Sequence, residues 1–564
     1  MARVYAHTHT TARAFAALGL AVALTLASAG PAAAAGTEVP PTPNSGPVAG
    51  GTTVTGTVPT AMFTQASTTS SLFCALTSNG TIVAWGGNRA GQVGTGTTDL
   101  SVWPPQVLTL DANGAPLPAF QSVNCAGSST AAALDVNGGL WMWVNPQRDP
   151  VTGAQTYWDR PVHVTTADDG SALPSKFIAA GGNWAIDANN HLWTWGQNND
   201  GQVGDGTWDN RFAPVQLTTA ADGTTTLPTF QSVAYDRWGN VMVGLDTNGH
   251  LWTWGNMQAF TGILGSLAPT PLVVPGVTFK SVNSGYGLEF AIDSAGHVWV
   301  FGRSNRPGTG AVEYLSGPTQ LLTDADNNPL PQFKDAVGNA QSEYLLDVDG
   351  NIWAWGTNEE GSTGVNVALP DPTVYLWPTK LLADSSGQAL PKFTSLEVNG
   401  HDDSAVFAIS EAGDVWAWGL DYGGYLWNSS ELNVVDYWPA PQTLLHLTTT
   451  VTRVTFGGVD GTDLVSNPDG TYTVVNPAGG CGPVDVVVHY DVVMDVYALD
   501  APPIPVGSYS TTYPKGFTYA GATCPTTFIT DTGGTPVLTP WAAAVALGML
   551  VTAGLVLGVR RRVA

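Results

Sequence analysis

Basic side chains are scarce in this chain. Of 564 residues only 19 are Lys or Arg, against 44 Asp or Glu, and the formal net charge is −25. A surface this short of cations argues against nucleic acid as a partner, because phosphate is bound by neutralising Lys and Arg. Charged residues of either sign reach only 11%, yet 43% of the chain is hydrophobic. That much apolar side chain can be buried, so the chain reads as globular rather than disordered. The familiar catalytic signatures are also missing: there is no HExxH, no GxSxG and no phosphate-cradling loop. No cofactor and no metal is expected, and no catalytic residue stands out.

Long apolar runs are confined to the two ends. Arg3 and Arg13 accompany AFAALGLAVALTLASAG, and Ala33-Ala34-Ala35 forms a small-residue cleavage site. Residues 1–35 therefore read as a secretory signal, with Gly36 starting the mature chain. Leu538 to Val559 is a 22-residue stretch without a charge, followed by Arg560, Arg561 and Arg562. That length spans a bilayer as a helix, and the basic tail 560–564 marks the cytoplasmic side. With these arginines set aside the exported part is more acidic still, which favours solubility and basic partners. An exported protein with four cysteines is expected to hold two disulfides, and four cysteines allow three connectivities. Cys74 and Cys125 lie in one region and Cys481 and Cys524 in another, so they are paired that way.

Glycine (66) and tryptophan (21) are plentiful instead, and glycine and proline together favour many turns and an all-β architecture. The segment LDVDGNIWAWG (346–356) shows how they are used. Asp347, Asp349 and Asn351 alternate as in the start of a calcium loop. A helix-flanked calcium loop would carry a glutamate at its twelfth position, where this chain has Asn358. The same stretch reads as two strands around a tight turn, and its sisters favour the turn. ALTSNGTIVAWG, AALDVNGGLWMWV, AIDANNHLWTWG, GLDTNGHLWTWG, AIDSAGHVWVFG and AISEAGDVWAWG share its pattern. The second aromatics of the seven copies are Trp85, Trp143, Trp195, Trp254, Phe301, Trp355 and Trp418. A period of this size means a solenoid or a propeller. In IWAW, Trp353 and Trp355 point to one face of a strand, Ile352 and Ala354 to the other. Both faces are apolar, so each sheet must be covered on both sides, as a propeller blade is by its neighbours.

Further landmarks accompany the copies. GQVGTG (91–96) and GQVGDG (201–206) follow two of them. PLPAF, ALPSKF, TLPTF, PLPQF and ALPKF precede five, each after a polar segment that suggests a small hairpin extension. The extension is missing before the fifth copy, which accounts for the short gap there. The pattern resembles the regulator-of-chromosome-condensation repeat family, whose core is AL-x-x-x-G-x-[VL]-[WY]-x-[WF]-G followed by GQLG. All seven cores match, two repeats keep a full GQxG, and Gly400-His401 is the nearest trace of the usual GxHT. The resemblance implies a seven-bladed propeller over residues 61–446. It is specific for fold and weak for function; secreted bacterial propellers of this type bind proteins.

A second resemblance lies around the propeller. VTRVTFGGVDGTDLVSNPDGTYTVVNPAGGCGPVDVVV (451–488) with FTYAG (517–521) is similar to the later part of an immunoglobulin-like IPT/TIG domain. The matching opening, PNSGPVAGGTTVTGTVP (43–59), stands before the first repeat. The expected fold is thus an all-β, seven-bladed β-propeller inserted into an immunoglobulin-like β-sandwich, with one C-terminal transmembrane helix. Residues 36–60 and 447–522 would form the sandwich, and a closed propeller brings its ends together for such splicing. The Cys74–Cys125 bridge, placed on the first strands of repeats one and two, would link adjacent blades. Cys481–Cys524 would clamp the end of the sandwich. The linker 523–537 carries ITDTGG, which with the apolar span and arginines resembles a sortase sorting signal of the LPxTG type. Thr532 and Gly533 match it, whereas Ile529 and Thr530 stand where Leu and Pro would be.

The residues between each repeat's first strand and its core vary most in kind. Trp184, Tyr235, Arg237, Trp238, Tyr286, Tyr344, His401 and Asp402 are the candidate partner-binding set, because aromatics and Arg are frequent interface anchors. His191, His250 and His297 recur just after turns of different repeats, which does not make a shared metal site. The reading is an exported bacterial cell-surface protein, anchored by its C-terminal helix, that binds an extracellular protein or glycan. The alternative is a surface carbohydrate-active hydrolase or lyase using acids on the propeller face.

Overall fold

The computed structural model describes residues 40–522 and 524, apart from 69–71, 126–129, 145, 149–154, 237–239, 257–265, 303–305, 314, 316, 359–360, 366–372, 399–404, 423–434, 468 and 497–501. The secretory segment 1–35, the apolar span 538–559, the tail 560–564 and Thr532-Gly533 lie outside the described residues, as do Arg237, Trp238, His401 and Asp402. Among the described residues every named element is a strand, and no helix is long and apolar enough to cross a membrane.

Six antiparallel four-stranded sheets follow one another along the chain, and a seventh blade forms part of a larger eight-stranded sheet. Blades 1 to 6 span 63–107, 120–163, 177–216, 230–272, 279–320 and 333–380, and blade 7 starts at 393. Each inner strand opens on a buried phenylalanine: Phe63, Phe120, Phe177, Phe230, Phe279, Phe333 and Phe393. In blades 2 to 7 this ring meets the first tryptophan of the repeat edge-on, as in Phe120–Trp141 (5.9 Å) and Phe393–Trp416 (5.9 Å). The inner strand of each blade touches that of the next, and Phe393–Val398 touches Phe63–Thr68, which closes the ring.

The two-faced pattern of the repeat explains why the blades stack. Trp355, with Trp353 at its margin, packs with Leu288, Phe290 and Val300 of blade 5. Ile352 and Ala354, one residue out of phase, pack with Phe393, Val406 and Trp418 of blade 7. The tryptophans at the second aromatic position are all essentially buried, and truncating one to alanine would cost about 3–5 kcal/mol. The five hairpin extensions are present as bridges Leu110–Pro116, Thr166–Ala172, Thr219–Thr226, Thr323–Pro329 and Ala383–Ala389. Between blades 4 and 5 there is none, and the chain passes directly from Ser266–Leu272 to Phe279–Ser284.

The outer strand of blade 7 does not stop at the propeller. Val435–Phe456 pairs first with Val415–Tyr422 of the blade and then, from Leu445 onward, with Gly482–Val496. The expected boundary at 446 therefore falls inside one continuous strand. Gly482–Val496 pairs with Ile504–Ala520, on whose edge Ser45–Pro47 lies in parallel. A separate sheet joins Thr53–Thr57, Thr471–Val475 and Thr462–Ser466. Segments before blade 1 thus pair with segments after blade 7. Val54, Tyr472 and Val474 share a core with Val486, Val488 and Phe517, and that core continues into Phe73 and Trp85 of blade 1 and Phe407 of blade 7.

Both expected disulfide pairs are present, Cys74–Cys125 and Cys481–Cys524. The first joins neighbouring blades, but its cysteines are placed differently from expectation. Cys74 lies in the second strand of blade 1 (Leu72–Thr77), and Cys125 follows the inner strand of blade 2 (Phe120–Asn124). The inner strand is the one led by phenylalanine, upstream of the repeat core.

Candidate functional site: loop face and central channel

A four-stranded blade has two ends. At one lie the hairpin turns between the second and third strands and the extensions between blades. At the other lie the connections between first and second and between third and fourth strands, here called the loop face. The repeat motif supplies polar residues to both ends, and their hydrogen bonds show what each is for.

At the turn end, the aspartate of each LD-x-x-G is a cap. Asp347 accepts from Asn351 N (2.8 Å), from Asn351 Nδ2 (2.8 Å) and from Trp353 Nε1 (3.1 Å). Asp135, Asp187, Asp246 and Asp293 accept in the same way from Trp141, Trp193, Trp252 and Trp299. These donors lower the Asp187, Asp293 and Asp347 carboxyls below their ordinary value, against the opposing effect of burial. The acidic alternation of 347–351 is therefore a turn whose first carboxylate is filled by protein donors. His191, His250 and His297 each sit beside the cap of their own blade, with Nδ1 3.1, 3.4 and 3.1 Å from Asp187, Asp246 and Asp293. They do not converge, and among the described residues no three His, Cys, Asp or Glu side chains are grouped to hold a metal ion.

At the loop face, the GQxG segments lock one blade to the next. Trp143 Nε1 donates to the Gln92 carbonyl (3.1 Å) and Trp254 Nε1 to the Gln202 carbonyl (3.0 Å). Gly94 and Gly204 hold positive φ, and a Cβ on Gly204 would lie 2.7 Å from the Trp254 ring. Asn88 and Asn198 brace the loops by accepting from Val93 N and Val203 N, each at 2.9 Å. Blade 6 repeats the loop brace with different residues. Asn358 accepts from Thr363 N (3.1 Å), and Gly364 faces Trp418. The sequence motif missed this brace because Ser362-Thr363 replaces Gln-Val, and here the buried Trp418 Nε1 finds no acceptor among the described residues. The indole-to-carbonyl bond itself recurs between blades 5 and 6, where Trp355 Nε1 donates to the Arg306 carbonyl (3.0 Å).

The inner strands line a central channel. Their side chains stitch neighbouring blades: Gln65 Oε1 accepts from Val123 N (3.0 Å), Ser67 Oγ from Cys125 N (2.9 Å), and Asn124 Oδ1 from Gly182 N (3.0 Å). On the far side acids take over these positions. Asp335 accepts from Ala336 N (2.9 Å), from Leu396 N of blade 7 and from Asn283 Nδ2 (3.4 Å). Burial raises the Asp335 carboxyl despite these donors. Glu397, close by in blade 7, is pushed up to about 8 by burial and then by the Asp335 charge. Glu289 of blade 5 is fully buried beside Asp236 of blade 4, itself 1% exposed. Burial first, and the Asp236 charge second, raise Glu289 well above the glutamate range. The sequence reading did not single out Glu289, Asp335 or Glu397. Their signal is position: Asp335 and Glu397 stand two and four residues after the inner-strand phenylalanine.

The described candidate residues fall out as follows. Trp184 begins the second strand of blade 3, half-buried against the blade 3–4 cluster. Tyr235 ends in the same cluster's margin and donates its hydroxyl to Asn240 Oδ1 (2.9 Å). Tyr286 is partly exposed in the connection between Phe279–Ser284 and Leu288–Asp293. Tyr344 is a correction: it is fully buried, its ring lies edge-on 6.0 Å from Trp418, and its hydroxyl donates to the Ser362 carbonyl. It is the third residue of Ser342–Asp347, facing blade 7, and no partner can reach it.

This architecture is that of a β-propeller, and its repeat is similar to a known one. Residues 189–235 match the profile of the regulator of chromosome condensation (RCC1) repeat. The chain is 24% identical over 381 residues to the ultraviolet-B receptor UVR8 of Arabidopsis thaliana, covering 62% of this chain and 76% of that protein. It is 25% identical over 275 residues to Protein RCC1 of Candida albicans, covering 42% of this chain and 55% of that one. The chain thus spans about half the length of this fungal relative. Among solved structures, yeast RCC1 (Prp20) bound to Kap60 superimposes with a TM-score of 0.51 at 17% identity, covering 74% and 90% of the two chains. Prp20p from Saccharomyces cerevisiae gives 0.50 at 17%, covering 73% and 92%. At these identities the likeness is one of fold.

Proposed function

We propose that this chain is an exported, surface-anchored protein whose propeller binds another protein through its loop face. One observation carries the reading. Among the described residues the shared turn aspartates and loop asparagines are engaged in caps and braces, while loop-face side chains such as Trp184 and Tyr286 differ from blade to blade. Such a surface is suited to recognition rather than to a repeated chemistry. The relatives agree in kind: one solved structure is of yeast RCC1 bound to Kap60, and another concerns Prp20p and its binding to Gsp1p and histones. The acidity of the chain favours a basic partner.

In this reading residues 1–35 direct export, and 538–559 with the arginines hold the chain at the bacterial surface, with Thr532-Gly533 as a degenerate sorting motif. The strands at 45–57 and after 446 are a split IPT/TIG-type immunoglobulin-like stalk, a reading favoured by their mutual pairing. The carbohydrate-active alternative is less favoured. The carboxylate pair of Asp236 and Glu289 is closed off from solvent, whereas a glycosidic bond must reach its acid and base.

The test is made on intact cells. External protease should shed the chain, and cross-linking from the loop face at Trp184 and Tyr286 should trap an extracellular protein that cells lacking the chain do not retain. A chain resistant to external protease while a surface control is cleaved, or equal retention with and without the chain, would reject the proposal.

A further inference from the structure

We propose that Trp208, at the tip of the outer loop of blade 3, is the anchor that receives a cationic side chain of a basic protein partner, with Asp209 as its counter-charge. This rests on the protein-binding reading above and gives it a place and a chemistry.

Trp208 is 57% exposed. Among the described residues the other tryptophans are buried or half-buried, so an indole left in water needs a reason. Looseness of the loop is not that reason, because the loop is held from every side. Asn198, fully buried, receives Val203 N (2.9 Å) and donates to the Thr207 carbonyl (2.8 Å), while its own N–H donates to Asn210 (2.8 Å). Asp205 accepts from Thr207 N (3.0 Å), Thr207 Oγ1 (2.7 Å) and Arg211 Nε (2.6 Å). Gly206 N donates to the Leu267 carbonyl of blade 4 (2.8 Å), and Arg211 also reaches Asp168 at 3.0 Å. The tip is therefore presented in one conformation before any partner arrives, which reduces the ordering cost of binding.

The fold does not require tryptophan there. The sister loop of blade 1 has the same brace, with Asn88 Nδ2 donating to the Thr97 carbonyl (3.0 Å), and carries Thr98 at the corresponding tip. Trp208 is thus an addition to a loop that already holds without it.

The partner's chemistry follows from charge. Asp209 is exposed and has no ion pair among the described residues, whereas Arg211 is already engaged by Asp205 and Asp168. The chain as a whole is at −25. A guanidinium can lie flat on the indole face while its N–H groups reach the Asp209 carboxylate, and a lysine ammonium does this less well.

The test uses the purified exported chain on a sensor surface, with a twelve-residue arginine-rich peptide and its glutamine counterpart as probes. The arginine peptide should bind and the glutamine peptide should not. Trp208→Ala should weaken binding about ten-fold with melting unchanged, and Trp208→Phe should keep most of it. Asp209→Asn should weaken it about three-fold and flatten its dependence on salt. Thr98→Ala on the sister loop should change nothing. Equal binding by wild type and Trp208→Ala, or no binding by wild type up to about 1 mM peptide, would overturn the assignment. A chain that captures a surface protein on cells but ignores the peptide loses only the Trp208 anchor. One that captures nothing loses the broader function.

Discussion

Glu397 offers a direct measure of the channel. The perturbation is Glu397→Gln, which keeps the shape and removes the titration. In the folded ring the Glu397 carboxyl is raised to about 8, from the 4.5 of an unconstrained glutamate, first by burial and then by the Asp335 charge. Asp335 holds the negative charge more readily because Ala336 N, Leu396 N and Asn283 donate to it, with Lys334 adding an attractive charge. Between these two pH values the folded chain keeps a proton that the unfolded chain has released. Stability must therefore fall as pH rises from about 4.5, and the loss is complete above about 8. At about 1.36 kcal/mol per unit the gap sets a ceiling of about 5 kcal/mol, and water in the channel with relaxation of the strands brings the working figure to about 2–3 kcal/mol.

Chemical unfolding of both proteins from pH 4.5 to 9 measures this. The two should be nearly equal at the acid end, where both side chains are neutral. The variant should become the more stable one across the interval and hold its lead above pH 8. Other titrating groups, including Glu289, are common to both chains and largely cancel in the difference. A difference that does not change with pH, or a variant that loses stability at pH 9, would refute the account of the channel.

Three further outcomes follow from the turns and the disulfide. Asp347→Ala leaves Asn351 N and Trp353 Nε1 without their acceptor and should cost about 2–4 kcal/mol in urea unfolding. The wild-type melting temperature should meanwhile be the same in calcium and in chelator, since the carboxylate is a turn cap. Replacing Cys74 and Cys125 together by alanine opens a loop with a sequence separation of 51 residues. It should lower stability by about 4 kcal/mol on chain-entropy grounds, as read by denaturant midpoint with the Cys481–Cys524 bridge intact.

What could be read from the sequence was whatever repeats. Seven copies of one hairpin reveal a period, and the alternation in IWAW assigns Trp353 and Trp355 to one seam and Ile352 and Ala354 to the other, as the two clusters confirm. The Leu-Pro-x-Phe segments mark the extensions for the same reason. What could not be read depended on partners distant in the chain. Asp335 and Glu397 each look like a polar position on an ordinary strand, and only the stacking of blade 7 on blade 6 puts them together. Tyr344 looked like a loop aromatic because the repeat was aligned from its core outward. Ser342–Asp347 begins two residues before it, and the strand's alternation sends the ring into the next blade.

The closure of the ring has its own logic. Propeller ends are prone to part, since the first and last blades are joined by no chain. Here no strand is exchanged between them: blade 1 is built from 63–107 and blade 7 from 393 onward. The seam is held by packing, with Phe73 4.5 Å from Phe407 and Trp85 6.4 Å from the same ring. Main-chain bonds add to it: Phe63 N donates to the Gly413 carbonyl (3.0 Å) and Ala61 N to Thr449 Oγ1 (3.1 Å). Just outside the seam, Thr53–Thr57 pairs with Thr471–Val475 and Ser45–Pro47 with Thr518–Ala520. The two chain ends that leave the propeller are thus paired with each other, and their core is the core of the seam. Opening blade 1 from blade 7 would require those strands to unpair as well, so the two-sheet unit and the ring share one closure, and the loop entropy of joining their ends is met once for both.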